Sequence, residues 1–506
     1  MTRTILILLI GFLSSIVAGC SDTNLTHDIP LVPRPAQIVP GSGNYLFSGK
    51  TVFAVENEEQ AEVARSFIAL FTRAAGFTPK LTVGDAEKGN VRFQTDATLK
   101  SEAYTLQVSP KEIIIEASDA KGFFYALQTI RQLLPASIEK EEVSDKKVKW
   151  SIPAVSIQDE PRFGYRALLL DASRFFIPKE NVLRIIDCMA MLKINTLHFH
   201  LTDDNGWRVE IKKYPRLTEV GAWRVDRTDL PFPARRNPEP GEPTPVGGFY
   251  TQEEIKEMVA YAAERQIEVV PEIDMPAHSN SALAAYPHLA CPVVKEYIGV
   301  LPGLGGRNSE IIYCAGNDSV YAFLQDVMDE ILELFMDLDA SDDQLECPFI
   351  FASARDGYAK RNLEDDNIDM TPLFETIIDY IPAPEGDSDA PLQTLISTID
   401  YNEYVGRIGV GKVDNGVLRI NQECVLVNHH DPDKFKKIKI GKLYEFDGLN
   451  RVEVKEANVG SIVAISGIPD IHIGDTICAV DTPDPIPFQK ISEPTISMYF
   501  MVNDSP

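Results

Sequence analysis

The sequence predicts a multidomain protein: a small α+β domain, then a parallel (β/α) sheet or barrel, then an antiparallel β-barrel. Three observations carry this. The 506 residues, 44% of them hydrophobic, suffice for two to four buried cores. From about residue 160, apolar strands and amphipathic helices alternate three times, the rhythm of a parallel sheet. After about residue 390 the helical periodicity stops, and short strands separated by turn residues take over.

The chain opens with MTRTILILLIGFLSSIVAGC: a basic residue, an apolar run, then Ala18 and Gly19 before Cys20. Residues 1–20 therefore read as a signal peptide rather than a spanning helix. Small residues directly before a cysteine resemble a bacterial lipobox. The expectation is a lipid on Cys20, a membrane anchor through it, and an exported bacterial lipoprotein of the periplasm or outer membrane. No second apolar stretch is long enough to cross a bilayer.

Residues 28–155 supply the α+β domain. TVFAV, VRFQT, AYTLQV and EIIIEA alternate like strands. EEQAEVARSFIALFTRAAG and AKGFFYALQTIRQLLP read as helices, closed by Gly76 and Pro135.

Between 160 and 335, YRALLLDAS is a continuous apolar run, as in a strand buried on both faces. The helix KENVLRIIDCMAMLK follows, with Val182, Ile185, Ile186, Met189 and Leu192 at helical spacing and Cys188 expected in the core. Then come the strand NTLHFHLT, the helix TQEEIKEMVAYAAERQ, the strand IEVVPEI and the helix DSVYAFLQDVMDEILELF. In a (β/α) barrel the chemistry sits at the carboxyl ends of the strands. Those ends carry Asp171 and Arg174, then His198, His200, Asp203 and Asp204, then Glu272, Asp274 and His278.

A linker, PAPEGDSDAP (382–391), leads into the antiparallel strands. The net charge of −27 argues against a general basic surface for nucleic acid. Lys434, Lys436, Lys437, Lys439 and Lys442 read as one solvated strand face. Cys291 and Cys314 bracket one loop and could form a disulfide after export. No cysteine or histidine spacing matches a zinc motif, and His198 and His200, at i, i+2 on one strand, read as packed polar core rather than metal ligands.

LLLDASRFFIPKENVLRIIDCMAMLKINTLHFHLTDDNGWRVEIKKYPRLTEVGAWR, followed by GGFYTQEEIKEMVAYAAERQIEVVPEIDMPAHSNSALAAYPHLAC, resembles glycoside hydrolase family 20, the β-N-acetylhexosaminidases, over about 28–335. The resemblance implies a TIM-type barrel that releases terminal N-acetylglucosamine or N-acetylgalactosamine from glycans with retention and without a cofactor. The substrate's own acetamido oxygen attacks the anomeric carbon, so the protein need supply only a general acid and an orienting carboxylate. By resemblance, Arg174 grips sugar hydroxyls, and Asp203 and His278 form a relay that tunes the acid. The same resemblance implies that Asp204 binds substrate, and it is an equal candidate for the relay. The His-x-Gly-Gly-Asp-Glu motif that carries the family's acid occurs nowhere in the chain. The later barrel strands with their sugar-stacking tryptophans are also missing, which leaves three parallel strands of the eight a barrel needs.

From about 329 to 506 the chain instead resembles BipA/TypA-type translational GTPases: a GTPase-domain remnant at 336–385, the second-domain β-barrel at 391–485 and the start of the third domain at 490–506. Gly406 to Lys412 fits GxxxxGK, but Val413 stands where Mg²⁺ needs Ser or Thr, so no GTP binding is expected and a ribosome is the only partner this half implies. The whole chain reads as an in-frame hybrid that switches within Asp329–Phe335, where both families carry a similar helix end.

Overall fold

The computed structural model describes residues 29–488, apart from 146, 306–309, 339–347, 349, 363, 405 and 449. Cys20 with the signal peptide, and residues 490–506, lie outside the described residues. The chain divides into two compact units, Met1–Glu346 and Cys347–Pro506.

The first unit begins with a seven-stranded sheet: β1 (Gln37–Leu46), β2 (Val52–Val55), β3 (Lys80–Val83), β4 (Val91–Thr95), β5 (Tyr104–Val108), β6 (Ile113–Ala117) and β7 (Ser151–Asp159), in the order β1-β7-β5-β6-β4-β2-β3. Helices α1 (Glu58–Ala75) and α2 (Ala120–Leu133) pack on it. The α1 N-terminus is capped by the Asn57 side chain, and the helix stops at Gly76, whose φ of 72° is left-handed. Phe93 and Phe123 stack at 5.0 Å in the core between sheet and helices.

Three strands of this sheet escape the alternation pattern. β1 holds Pro40, Gly41 and Gly43 and shifts register between Pro40 and Asn44, which its edge position tolerates. β3 is a four-residue strand at the opposite edge. β7 carries Pro153 and runs on to Asp159, past residue 155.

The parallel layer follows: β8 (Ala167–Asp171), α3 (Lys179–Met191), β9 (Thr196–Asp203), β10 (Gly206–Trp207), α4 (Gln252–Ala263), β11 (Glu268–Ile273), α5 (Asn280–Ala285) and α6 (Asp318–Met336). β8 and β11 flank β9 in parallel and place Asp171, His200 and Glu272 in one row, while β10 turns back on β9 as a hairpin. Buried polar ties join this layer to the first sheet. Arg166 and Asn195 donate to the buried Glu102 at 2.8 and 3.1 Å, and Lys193 reaches Asp159 at 2.7 Å.

Two expectations fail here. β8 is not buried on both faces, because Leu168 is 37% and Leu169 54% exposed. Among the described residues β8 pairs only with β9, so nothing covers its free edge or the face carrying Leu169 and Val270. Cys188 is exposed. The buried stripe of α3 runs through Val182, Ile186, Met189 and Ala190, and Cys188 falls to its side.

α6 passes unbroken through Asp329–Phe335. Val320, Phe323 and Val327 before that stretch, and Ile331 and Leu334 within it, form one buried stripe in the unit's single large core. Glu330 accepts from the Lys212 N–H at 2.6 Å, the Lys213 N–H at 3.2 Å and Gln252 Nε2 at 2.6 Å, so it serves helix docking, while Asp329 accepts from Gln325 of its own helix.

The second unit opens with a hairpin of β12 (Phe351–Ser353) and β13 (Tyr358–Lys360), then α7 (Thr371–Tyr380). Its main body is an eight-stranded antiparallel sheet: β14 (Gln393–Asn402), β15 (Gly406–Asn415), β16 (Glu423–Asn428), β17 (Asp431–Lys439), β18 (Lys442–Asp447), β19 (Asn450–Glu453), β20 (Ile462–Ser466) and β21 (Asp475–Cys478). The order is β17-β16-β21-β14-β15-β20-β18-β19, wrapped on Ile396, Val413, Leu443, Ile465 and Ile477. Gly406 to Lys412 lies inside β15, a strand, where a phosphate loop would need a turn leading into a helix. Lys434, Lys436, Lys437 and Lys439 lie exposed on the edge strand β17, divided between its two faces rather than on one, and Lys442 begins β18.

Candidate active site

The strand ends bring the predicted residues together. Arg174 lies three residues beyond the end of β8, and its backbone N–H is held by Asp171 Oδ1 at 2.9 Å. The guanidinium meets Asp171 at 3.2 Å, His200 Nε2 at 3.0 Å and Asp203 Oδ2 at 2.6 Å. Asp203, the last residue of β9, is 1% exposed and also accepts the Asp204 N–H at 2.6 Å. Asp204 accepts the Asn280 N–H at 3.1 Å, at the start of α5.

His278 closes the cluster from the loop after β11. Its left-handed backbone, φ 50°, turns the ring back so that Nδ1 lies 3.2 Å from Asp203 Oδ1 and 3.4 Å from Asp204 Oδ2. Both aspartates that the sequence left as alternatives thus share the imidazole. Its outer edge remains open, with the side chain half exposed. Among the described residues, no glutamate hydrogen-bonds His278.

A second row lies on the same sheet face. Glu272 Oε2 is 2.5 Å from His198 Nε2 and 2.9 Å from His200 Nδ1, which shows that the two histidines share one face as their i, i+2 spacing requires. Burial pulls the His200 pKa down, but its bonds to Asp203 and Glu272 outweigh this and raise it to about 9. Burial also lifts Glu272, yet the two imidazoles hold it below the ordinary glutamate value, so it stays ionised. Asp204 goes the other way: burial, with Asp203 beside it, raises it to about 6.

Ligand atoms of His200, Asp203 and Asp274, and of Asp203, Asp204 and His278, lie within 4.8 Å of one another. The Arg174 guanidinium already occupies the cation position beside Asp203, which disfavours a metal at that carboxylate.

The motif reading missed Arg208. It is 1% exposed and donates to the carbonyls of Ala172, Ser173, Asn205, Ala222 and Gly248, tying together the loops that carry Arg174 and Asp204. Burial, with Arg224 nearby, lowers its pKa to about 9. A Cβ at Gly206 would lie 2.1 Å from this guanidinium, so any larger residue there would have to push Arg208 off its carbonyls. An arginine after a tryptophan in GWRVE carries no periodic signal of this role. Cys291 and Cys314, which bracket one loop, are bonded, with Cα atoms 4.6 Å apart.

Comparison with known proteins matches this geometry to a family. The catalytic domain of glycosyl hydrolase family 20 matches residues 163–342, and domain 2 of the same family matches 28–160. Elongation factor Tu domain 2 matches residues 406–478. A β-hexosaminidase of Porphyromonas gingivalis is 39% identical over 310 residues, covering 61% of this chain and 37% of that protein. The large ribosomal subunit assembly factor BipA of Bacillus subtilis is 43% identical over 222 residues, 42% of this chain and 36% of that protein. A Streptomyces plicatus β-hexosaminidase mutant, solved with its product GlcNAc, superposes with a TM-score of 0.51 at 35% identity, covering 60% of this chain and 56% of that one. The chain spans little more than a third of the curated relatives it matches. Over residues 28–342 the chain belongs to glycosyl hydrolase family 20, and residues 406–478 are similar to elongation factor Tu domain 2.

Proposed function

We propose that residues 28–342 form the sugar-facing part of a β-N-acetylhexosaminidase whose acid is missing, so that the chain does not turn over glycans. The observation that carries this is the meeting of Arg174, Asp203 and His278 at the strand ends with no glutamate on the imidazole among the described residues. Arg174, braced by Asp171 and Asp203, presents its fork to the sugar hydroxyls of a terminal N-acetylhexosamine. Asp203 and Asp204 orient His278, which in a complete site would tune the acid glutamate. Substrate-assisted retention needs a proton donor at the leaving oxygen, and Glu272, ionised and held by two histidines, does not supply one. The open faces of β8 and β11 fit an incomplete (β/α) barrel. The purified full chain should release no aryl alcohol from an aryl N-acetylglucosaminide above the buffer rate. Turnover at ordinary enzyme rates would refute the proposal.

A second reading concerns the other unit. The match at 406–478 and the BipA relatives favour a non-enzymatic ribosome contact without GTP. Signal-deleted chain sedimented with ribosomes is expected to bind weakly, because the phosphate and switch motifs of a GTPase do not occur in the sequence. Lipidation at Cys20 is checked by fatty-acid labelling lost in Cys20→Ala. One long DNA read across codons 320–350 decides whether the hybrid exists in its source.

A further inference from the structure

Helix α7 of the second unit turns its apolar side outward. Phe374, Ile377, Ile378 and Ile381, the residue that closes the helix, recur at i, i+3, i+4 and i+7, the spacing of one helical stripe. All four are exposed, from 46% for Ile377 to 75% for Ile378. The helix packs on β13, and the residue it buries is Thr376, whose Oγ1 donates to the Pro372 carbonyl at 2.8 Å. A stripe of this spacing ordinarily faces a core, and a contiguous exposed apolar patch marks an interaction surface. We infer that the stripe is a docking surface for a basic amphipathic helix of a partner protein.

Charge selects that occupant. From Asn362 to Pro391 the chain holds nine Asp and Glu and no Lys, Arg or His. At 3.6 residues per turn, Glu375 and Asp379 fall on one flank of the stripe, between it and the buried side. Glu375 is tied to Arg361 at 3.2 Å, and Asp379, one turn on, is exposed. A second copy of this chain would bring two such acidic segments together, and an anionic lipid surface would be repelled in the same way. A partner helix with Lys or Arg along one flank meets the carboxylates while its apolar anchors cover Phe374, Ile377, Ile378 and Ile381. The stripe runs for two turns, about 10 Å, so a short helix suffices and the contact is small and reversible. This surface lies outside residues 406–478 and outside the strand-end cluster around Arg174, so it is independent of both functional readings above.

The test titrates the full chain into a fluorescent leucine–lysine peptide of about 14 residues, four turns with leucine on one face, and follows anisotropy. Salt at about 0.15 M screens the chain's general negative charge. The peptide should bind saturably, one per chain, with a Kd below about 100 µM. The same residues reordered without a helical period should bind at least about tenfold more weakly. Ile377→Ser/Ile378→Ser should weaken binding at least about tenfold, and Asp379→Lys severalfold. Ile378→Ser alone, at the most exposed position of the stripe, serves if the double variant does not fold. Val452→Ser/Ile462→Ser, exposed apolar residues of β19 and β20, should leave the Kd within twofold. No saturable binding, or equal binding of the two peptides, overturns the inference. So does a loss in Val452→Ser/Ile462→Ser with retention in Ile377→Ser/Ile378→Ser. Self-association of the chain alone in sedimentation velocity, or binding to anionic phospholipid vesicles, abolished by Ile377→Ser/Ile378→Ser would give the stripe to another occupant and overturn it too.

Discussion

Ile331 lies in the stretch where the two family resemblances overlap, and its environment allows a decisive test of which unit that stretch stabilises. The side chain is 5% exposed and packs in the large core of the first unit with Phe323, Val327 and Leu334. Truncating a buried isoleucine to alanine costs about 2–5 kcal/mol, the lost transfer term plus the cavity left behind. With a urea m-value of about 3 kcal/mol/M, about 3 kcal/mol moves the unfolding midpoint by about 1 M. All three tryptophans, Trp150, Trp207 and Trp223, belong to the first unit, so tryptophan fluorescence, excited selectively over tyrosine, follows that unit alone. Ile331→Ala should lower the fluorescence midpoint by about 1 M urea. Ile465→Ala, fully buried in the second unit, should leave it in place. Met336→Ala is the exposed control, since Met336 is 56% accessible at the end of the same helix. The reasoning fails if Ile331→Ala shifts the midpoint no further than Met336→Ala does.

Other perturbations follow the same logic. Glu102→Gln removes the charge between Arg166, Asn195 and Lys121, and breaking such a buried pair should lower the same midpoint by about 3 kcal/mol equivalent, measured by the same urea titration. The Asp204 pKa is raised from 3.8 to about 6, so the folded state holds an extra proton between those values. Stability of the first unit should therefore fall as pH rises from 4 to 6, and Asp204→Asn should flatten that slope in unfolding curves taken across the window. On β17, Lys434, Lys436 and Lys437 are exposed along a sheet edge, where charge blocks edge-to-edge pairing. Replacing all three with threonine should produce concentration-dependent self-association in sedimentation velocity.

The sequence by itself determined more of this protein than its hybrid character suggests. Apolar patterns located β2, β4, β5, β6, α1 and α2: β4, β5, β6 and α1 bury one face and the period records which, whereas β2 and α2 are buried nearly all round and read as apolar runs. Motif order placed Arg174, Asp203, Asp204 and His278 at strand ends, where the parallel layer brings them within hydrogen-bonding reach. Edge strands β1 and β3 were illegible, since an edge tolerates proline, glycine and short length that interior strands do not. An apolar run such as LLLD promises burial only if partners exist, and β8 has one neighbour among the described residues, so its leucines lie open. Which aspartate meets His278, what Glu272 holds, and why Arg208 is buried were decided only by the tertiary structure. Those contacts join residues far apart in the chain, and their distances depend on the register between strands that no local pattern encodes.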